Sequence, residues 1–196
     1  MIFQISIFGL ITCFYIGYFM KQILLRKKGI HTNQLAKGRK PPKTAAIETA
    51  LLTATYSIAV IQYASVFFPR FIFTLKFPAS IRWVGIVLTG GGVIFFILDI
   101  TSMRDSWRAG VDESQKTAIV TNGIYKISRN PAFLGFDMLY LGSALALPNV
   151  ILLVAAVIGI LLLHLQILEE ETYLPRAFGD EYLQYKSRTA RYFLFF

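Results

Sequence analysis

Five apolar runs alternate with polar, charge-rich segments along the chain. They cover residues 2–25, 44–68, 83–100, 132–147 and 150–168. A helix needs about 20 apolar residues to cross a hydrocarbon core of about 30 Å, and these runs meet or approach that length. The fourth is short. Only Pro148-Asn149 separates it from the fifth, which leaves room for nothing but a tight helical hairpin. The pattern predicts an all-α integral membrane protein with five transmembrane helices, the last two forming a C-terminal hairpin capped by a loop and a tail. The chain reads as a single membrane domain, 1–196, with three N-terminal spans in 1–100 and a second, chemically richer half in 101–196. The first run has no basic start and no small-residue cleavage site, so it is expected to remain as a span rather than be removed as a signal peptide.

Composition agrees: 55% of residues are hydrophobic. The formal net charge of +9 would suit a nucleic-acid binder if the cations shared one soluble face. Instead they flank the apolar runs. Eight Lys and Arg fall in 21–43, five in 101–130 and four in the tail, against Arg70, Lys76 and Arg82 alone on the other side. That bias puts the N-terminus outside and the tail in the cytoplasm. The loop 69–81 is rich in Phe and Pro and is expected in the membrane interface. Cys13 is the single cysteine, so neither an internal disulfide nor a Cys-based zinc site can form.

The cytoplasmic segments carry more than connector sequence. The first mixes charges with Trp107, a strand-like run at 117–121, a turn at Asn122-Gly123 and then Tyr125. In the tail, Phe178, Tyr182 and Tyr185 share one helical face, and Asp180 is placed to cap that helix. The final YFLFF reads as an interfacial anchor. Glu169-Glu170-Glu171 continues the fifth run. Carboxylates at a helix C-terminus oppose its dipole, so the helix should run past the bilayer, as far as Pro175, where Pro could end or kink it. Glu169 could instead pair with a loop Arg and hold the tail down. His164 and Glu171 share a face, as do Gln166 and Glu170. Asp99 ends the third run, and Asp137 lies two turns into the fourth, where it needs a partner from Arg104, Arg108, Arg129 or His164. Gly90-Gly91-Gly92 is mid-span and reads as close helix packing rather than a phosphate loop.

The stretch SWRAG…IVTNGIYKISRNPAFLG, a hydrophobic hairpin, then EETYLPRAFGDEYLQY resembles the isoprenylcysteine carboxyl methyltransferase family, to which the phospholipid methyltransferases are related. The resemblance covers roughly residues 101–190. Gly123, Tyr125, Arg129, Asn130, Pro131, Glu170, Glu171, Leu174, Phe178, Gly179 and Tyr182 match its pattern. Phe133 stands where Tyr is common, and Gln166 where the eukaryotic enzymes carry an Arg that steers an acceptor carboxylate. The resemblance implies a methyltransferase using S-adenosylmethionine, with S-adenosylhomocysteine as product, that meets a lipophilic acceptor at the membrane–cytosol interface. It implies that Ile119, Val120, Tyr125 and Phe133 wrap the nucleoside, with Gly123 and Pro131 also in the cofactor site. Arg129, Asn130 and His164 would hold the amino-acid end, and Glu170 and Glu171 its amino group or ribose. His164, Arg108 and Glu171 are the candidate catalytic residues. Arg108 would hold the acceptor or brace an acid, and His164 would serve as base for an amine acceptor or only make a polar contact inside the hairpin. No metal is expected, since His31 and His164 stand alone. The expected partners are a lipophilic small molecule or lipidated substrate and membrane lipids, with no nucleic acid. Amino-lipid N-methylation is the second enzymatic reading, and a non-catalytic membrane scaffold the reading from another class.

Overall fold

The computed structural model describes residues 1–38, 40–69, 72, 74–108, 110 and 118–193. They form five helices: α1 (Ile2–Lys27), α2 (Pro42–Phe67), α3 (Ala79–Met103), α4 (Pro131–Ala146) and α5 (Val150–Arg188). Short 3-10 turns follow α3 (Arg104–Ser106) and precede α4 (Gly123–Lys126). Among the described residues there is no strand; residues 118–121 of the expected strand-like run are irregular, and Thr117 lies outside the described residues. Leu194–Phe196 of the expected anchor also lie outside them.

Four helices, α1, α2, α3 and α5, are long and apolar enough to cross a membrane. α4 has 16 residues. At 1.5 Å per residue it is about 24 Å long, short of the hydrocarbon core. Proline sets two of the starts: Pro42 and Pro131 each occupy the first turn, where a missing N–H is harmless.

α3 and α4 approach most closely. Gly85, Thr89 and Gly92 of α3 oppose Gly135, Leu139, Gly142 and Ala146 of α4. A Cβ built on Gly142 would lie 2.6 Å from the Thr89 backbone nitrogen, and one on Gly92 2.6 Å from the Gly135 oxygen. The expected small-residue contact is therefore real at Gly92. Gly91 faces the Met138 side chain, and Gly90 meets only the Leu10 side chain, at 4.0 Å. Without a hydrophobic force between helices in lipid, such backbone contact is a main source of cohesion. Polar groups tie the centre of the bundle: Tyr15 Oη donates to Gln62 Oε1 at 2.6 Å, and Gln62 Nε2 donates to Ser143 Oγ at 2.8 Å, joining α1, α2 and α4.

The hairpin is as tight as its two-residue linker requires. Asn149 caps α5 by accepting from the Leu152 N–H at 2.8 Å, and gives its own amide to Ser65 Oγ of α2 at 3.1 Å. The α2–α3 connection joins this turn through a Thr74–Asn149 bridge and a Leu75 N–H to Pro148 oxygen bond of 2.8 Å. α5 counts 39 residues, and its unbroken part up to Phe178 is about 44 Å long, more than the thickness of a hydrocarbon core. It passes through Pro175 and leaves helical geometry four residues later, at Gly179 (φ 55, ψ −136). The break falls where only glycine tolerates the backbone, not at the proline.

Candidate active site

At the Glu170 end of the bundle the tail of α5 folds over the loop that precedes α4. Between them lies a cavity of about 520 Å³. Ile119, Val120, Tyr125, Arg129, Asn130, Phe133 and Glu170, all singled out in the sequence, line it together with Arg108. Trp107, Tyr173, Leu174, Phe178, Tyr182 and Tyr185 complete much of the wall. Its size and its apolar lining with few convergent polar groups are those of a small-molecule site. Two motif residues shape the wall without facing the cavity. Gly123 turns the chain with φ +64, and Pro131 is buried in the first turn of α4.

The loop side is fixed by Asp99, a fully buried acid of α3. Trp107 donates Nε1–H to one carboxylate oxygen at 3.0 Å, and Tyr125 donates its hydroxyl to the other at 2.5 Å. Tyr185 of the tail donates to the Tyr125 backbone oxygen at 2.7 Å. Burial, with the Asp99 carboxylate next, keeps the Tyr125 phenol far above its ordinary range, so it remains a donor. This anchor was not foreseen. The available signal was a lone acid inside an apolar run, eight residues ahead of a tryptophan.

The three glutamates part company. Glu169 accepts from Lys43 at 2.7 Å and from Thr44 Oγ1 at 2.7 Å, and so pins α5 to the start of α2. The cation that holds it is a lysine of the α2 turn rather than a loop arginine. Glu171 lies away from the cavity, inside a cluster of three cations. Arg129 reaches it at 2.7 Å, Arg191 at 2.8 Å and Lys186 at 3.4 Å. Burial alone would raise its pKa, but hydrogen bonds from Arg191 and Arg129 more than reverse that and hold it at about 2. Glu170 is the acid on the cavity wall. It accepts from Gln166 Nε2 at 3.1 Å, and burial raises its pKa to about 7.

Arg129 is likewise occupied. Besides Glu171, its guanidinium donates to the Lys186 oxygen at 3.2 Å and to the Thr189 oxygen, capping the end of α5. Asn130 donates Nδ2–H to the Arg191 oxygen at 3.1 Å. His164 does not reach the cavity. Its Nδ1 lies 2.8 Å from Tyr192 Oη, and the two rings stack. Asp137 also stays apart, and its Oδ1 is buried with no hydrogen bond among the described residues. None of the four cationic partners considered for it makes a hydrogen bond or ion pair with it there.

A second cavity of about 330 Å³ lies between α1, α2, α4 and α5, lined by Tyr15, Leu51, Leu52, Tyr56, Ala59 and Tyr63 among others. Trp107, Arg108, Gly110, Ala132 and Phe133 line both cavities. Gln166 faces the second cavity while bonding to Glu170 of the first. The first cavity, with Arg129, Asn130 and Glu170 on its wall, is the more polar chamber, the second is the apolar one, and the two meet at one wall.

A comparison with curated proteins gives no match. The family model of the phospholipid methyltransferases matches residues 80–181, just over half of the chain. The match begins some twenty residues earlier than the sequence resemblance. It takes in α3, which supplies Asp99 and Met103 to the site. The matched region thus contains α3, α4 and most of α5, and the chain belongs to the phospholipid methyltransferase family of membrane methyltransferases, in the group that also includes the isoprenylcysteine carboxyl methyltransferases.

Proposed function

We propose that the protein transfers the methyl group of S-adenosylmethionine to a lipophilic acceptor at the cytoplasmic face of the membrane. The observation that carries this reading is the shared wall between the two chambers. A charged nucleoside cofactor and an apolar acceptor need separate solvation, yet their reacting atoms must meet. Trp107, Arg108, Ala132 and Phe133 border both spaces. The polar chamber fits the cofactor by its donor set: Ile119, Val120, Tyr125 and Phe133 offer apolar and aromatic faces, and Glu170 and Asn130 offer acceptors. Bound there, the cofactor supplies a methyl group on a sulfonium, activated without a metal.

The protein's contribution is then orientation, which can supply roughly 7–11 kcal/mol when the reacting groups are well aligned. The Arg129 guanidinium is committed to Glu171 and to the end of α5, and Arg108, itself a donor to the Asp105 and Trp107 oxygens at 2.8 Å, is the arginine at the shared wall, placed for the cofactor carboxylate or the acceptor. Glu171 braces that arginine. His164 borders neither chamber, so Glu170, with its pKa near 7, is the better base for an amine acceptor. A carboxylate or thiolate acceptor needs no base. The bias of basic residues supports a cytoplasmic tail and an outside N-terminus.

The leading acceptor is an isoprenylcysteine-like carboxylate or another lipophilic small molecule. The family match favours an amino-lipid as the second reading. Incubating the purified chain with methyl-labelled cofactor and membrane lipid extract tests both. A base-labile methyl ester supports carboxyl transfer and a base-stable methylamine supports nitrogen. No transfer, together with no S-adenosylhomocysteine binding by calorimetry, would leave the scaffold reading.

A further inference from the structure

Beyond Arg188 the chain leaves the helix, with Thr189 extended (φ −126, ψ 132), and residues 189–193 return along the outer side of the cavity wall. Their carbonyls receive the wall residues one after another. Arg129 N–H donates to the Ala190 oxygen at 2.9 Å. Ser128 Oγ and Asn130 Nδ2 donate to the Arg191 oxygen at 3.2 and 3.1 Å. The side chains then fasten the segment down. Arg191 binds both oxygens of Glu171 at 3.1 and 2.8 Å, Tyr192 meets His164 at 2.8 Å, and the Phe193 ring lies edge-on to Phe95 at 5.1 Å.

We infer that this strap sets the polarity of the cavity wall, with Arg191 as a positioning residue acting through Asn130. The inference rests on the reading of the cavity as a cofactor site. A primary amide has a donor end and an acceptor end, and either can face a ligand. Here the Arg191 carbonyl takes the donor end. Asn130 Oδ1 receives no hydrogen bond among the described residues, and Asn130 lines the cavity. The chamber therefore sees an acceptor, suited to the amino group or ribose hydroxyls of the cofactor. Without the strap the amide is free to turn, and the neighbouring Ser128 and Arg129 lose their carbonyl partners as well. Nothing in the strap touches the cavity, so its effect is indirect.

The test is calorimetric titration of S-adenosylhomocysteine into the full chain in detergent, beside Arg191→Gln, Asn130→Ala and the double variant. Arg191→Gln leaves Glu171 with Arg129 and Lys186, so the fold is expected to survive. Its affinity should fall about tenfold, the effect of one charge-supported hydrogen bond. Because both changes act through one amide, the double variant should bind no more weakly than Asn130→Ala alone. A structural role would lower stability but would not produce that non-additivity. Affinity unchanged in Arg191→Gln, or effects that add in full, overturns the inference. If Arg191→Gln fails to fold, Arg191→Lys is judged by the same two criteria. No binding by the wild-type chain overturns the cofactor reading itself and the strap inference with it, whereas wild-type binding with an indifferent strap overturns the strap alone.

Discussion

Glu170 should make cofactor affinity depend on pH across neutrality. Burial raises its pKa to about 7, against an ordinary glutamate value of 4.5. The ionised form is acceptor-only and carries the charge that favours an ammonium group, whereas protonation turns one oxygen into a donor; one oxygen already receives Gln166. At one pH unit below 7 about one-eleventh of the chains carry the carboxylate, and at one unit above about ten-elevenths do. If the ionised form is the binding form, S-adenosylhomocysteine affinity at pH 8 exceeds that at pH 6 by about tenfold, or about 1.4 kcal/mol. Glu170→Gln should flatten the profile. That variant also controls for His31 and His164, which it leaves in place. Titrations at half-unit steps from pH 5.5 to 8.5 give the curve. A flat wild-type profile, or a sloping one that Glu170→Gln preserves, refutes the assignment. The sign for stability is the opposite. The folded pKa is raised, so ionisation opposes folding. The penalty is absent below the unfolded value near 4.5, grows up to about 7 and is constant above. Glu170→Gln should therefore be at least as stable as the wild type at pH 8.

Gly142→Val should separate α3 from α4, because its Cβ would meet the Thr89 backbone nitrogen at 2.6 Å and the Gly85 oxygen at 2.7 Å. A loss of about 1–3 kcal/mol is expected, read as a lower unfolding temperature in detergent, and an unchanged midpoint would contradict the contact. Asp99→Ala strands two buried donors, Trp107 Nε1–H and the Tyr125 hydroxyl, at about 1–3 kcal/mol each. It should shift the tryptophan emission and weaken S-adenosylhomocysteine binding; emission identical to wild type would speak against the anchor. Ala59→Phe intrudes on the apolar chamber alone. Methyl transfer to a lipophilic acceptor should fall at least tenfold, while S-adenosylhomocysteine affinity changes less than threefold; parallel losses would undo the two-chamber account.

Much of the architecture could be read in the sequence because lipid imposes simple demands. Apolar runs of membrane length become helices, and a two-residue linker can only be a hairpin. The Glu169–Glu171 triplet implied a helix that continues beyond the apolar run, and α5 stays helical through all three acids and Pro175. What could not be read is which side of that helix each acid would face. His164 and Glu171 share a helical face, yet that face meets the returning strap, not the cavity. The Ser128–Asn130 carbonyl partners come from residues about sixty positions away. Such pairings leave no local periodicity. Asp99 could be noticed but not assigned, since its two donors lie in and just after short 3-10 turns that no spacing rule places against α3. Pro175 was the visible helix breaker, while Gly179 broke the helix, because a proline costs one hydrogen bond whereas a left-handed backbone redirects the chain.

The unbroken course of α5 from Asn149 to Gly179 has an evolutionary corollary. One rod bears the Asn149 cap, the Gln166 of the apolar chamber and the Glu170 of the polar one. Inserting or deleting a single residue between positions 150 and 166 would rotate everything beyond it by about 100° and slide it by about 1.5 Å. Gln166 and Glu170 would then leave their chambers together. Length variation among descendants of this sequence should therefore collect in the α1–α2 and α2–α3 connections, with α5 preserving its phase even where its lipid-facing side chains drift.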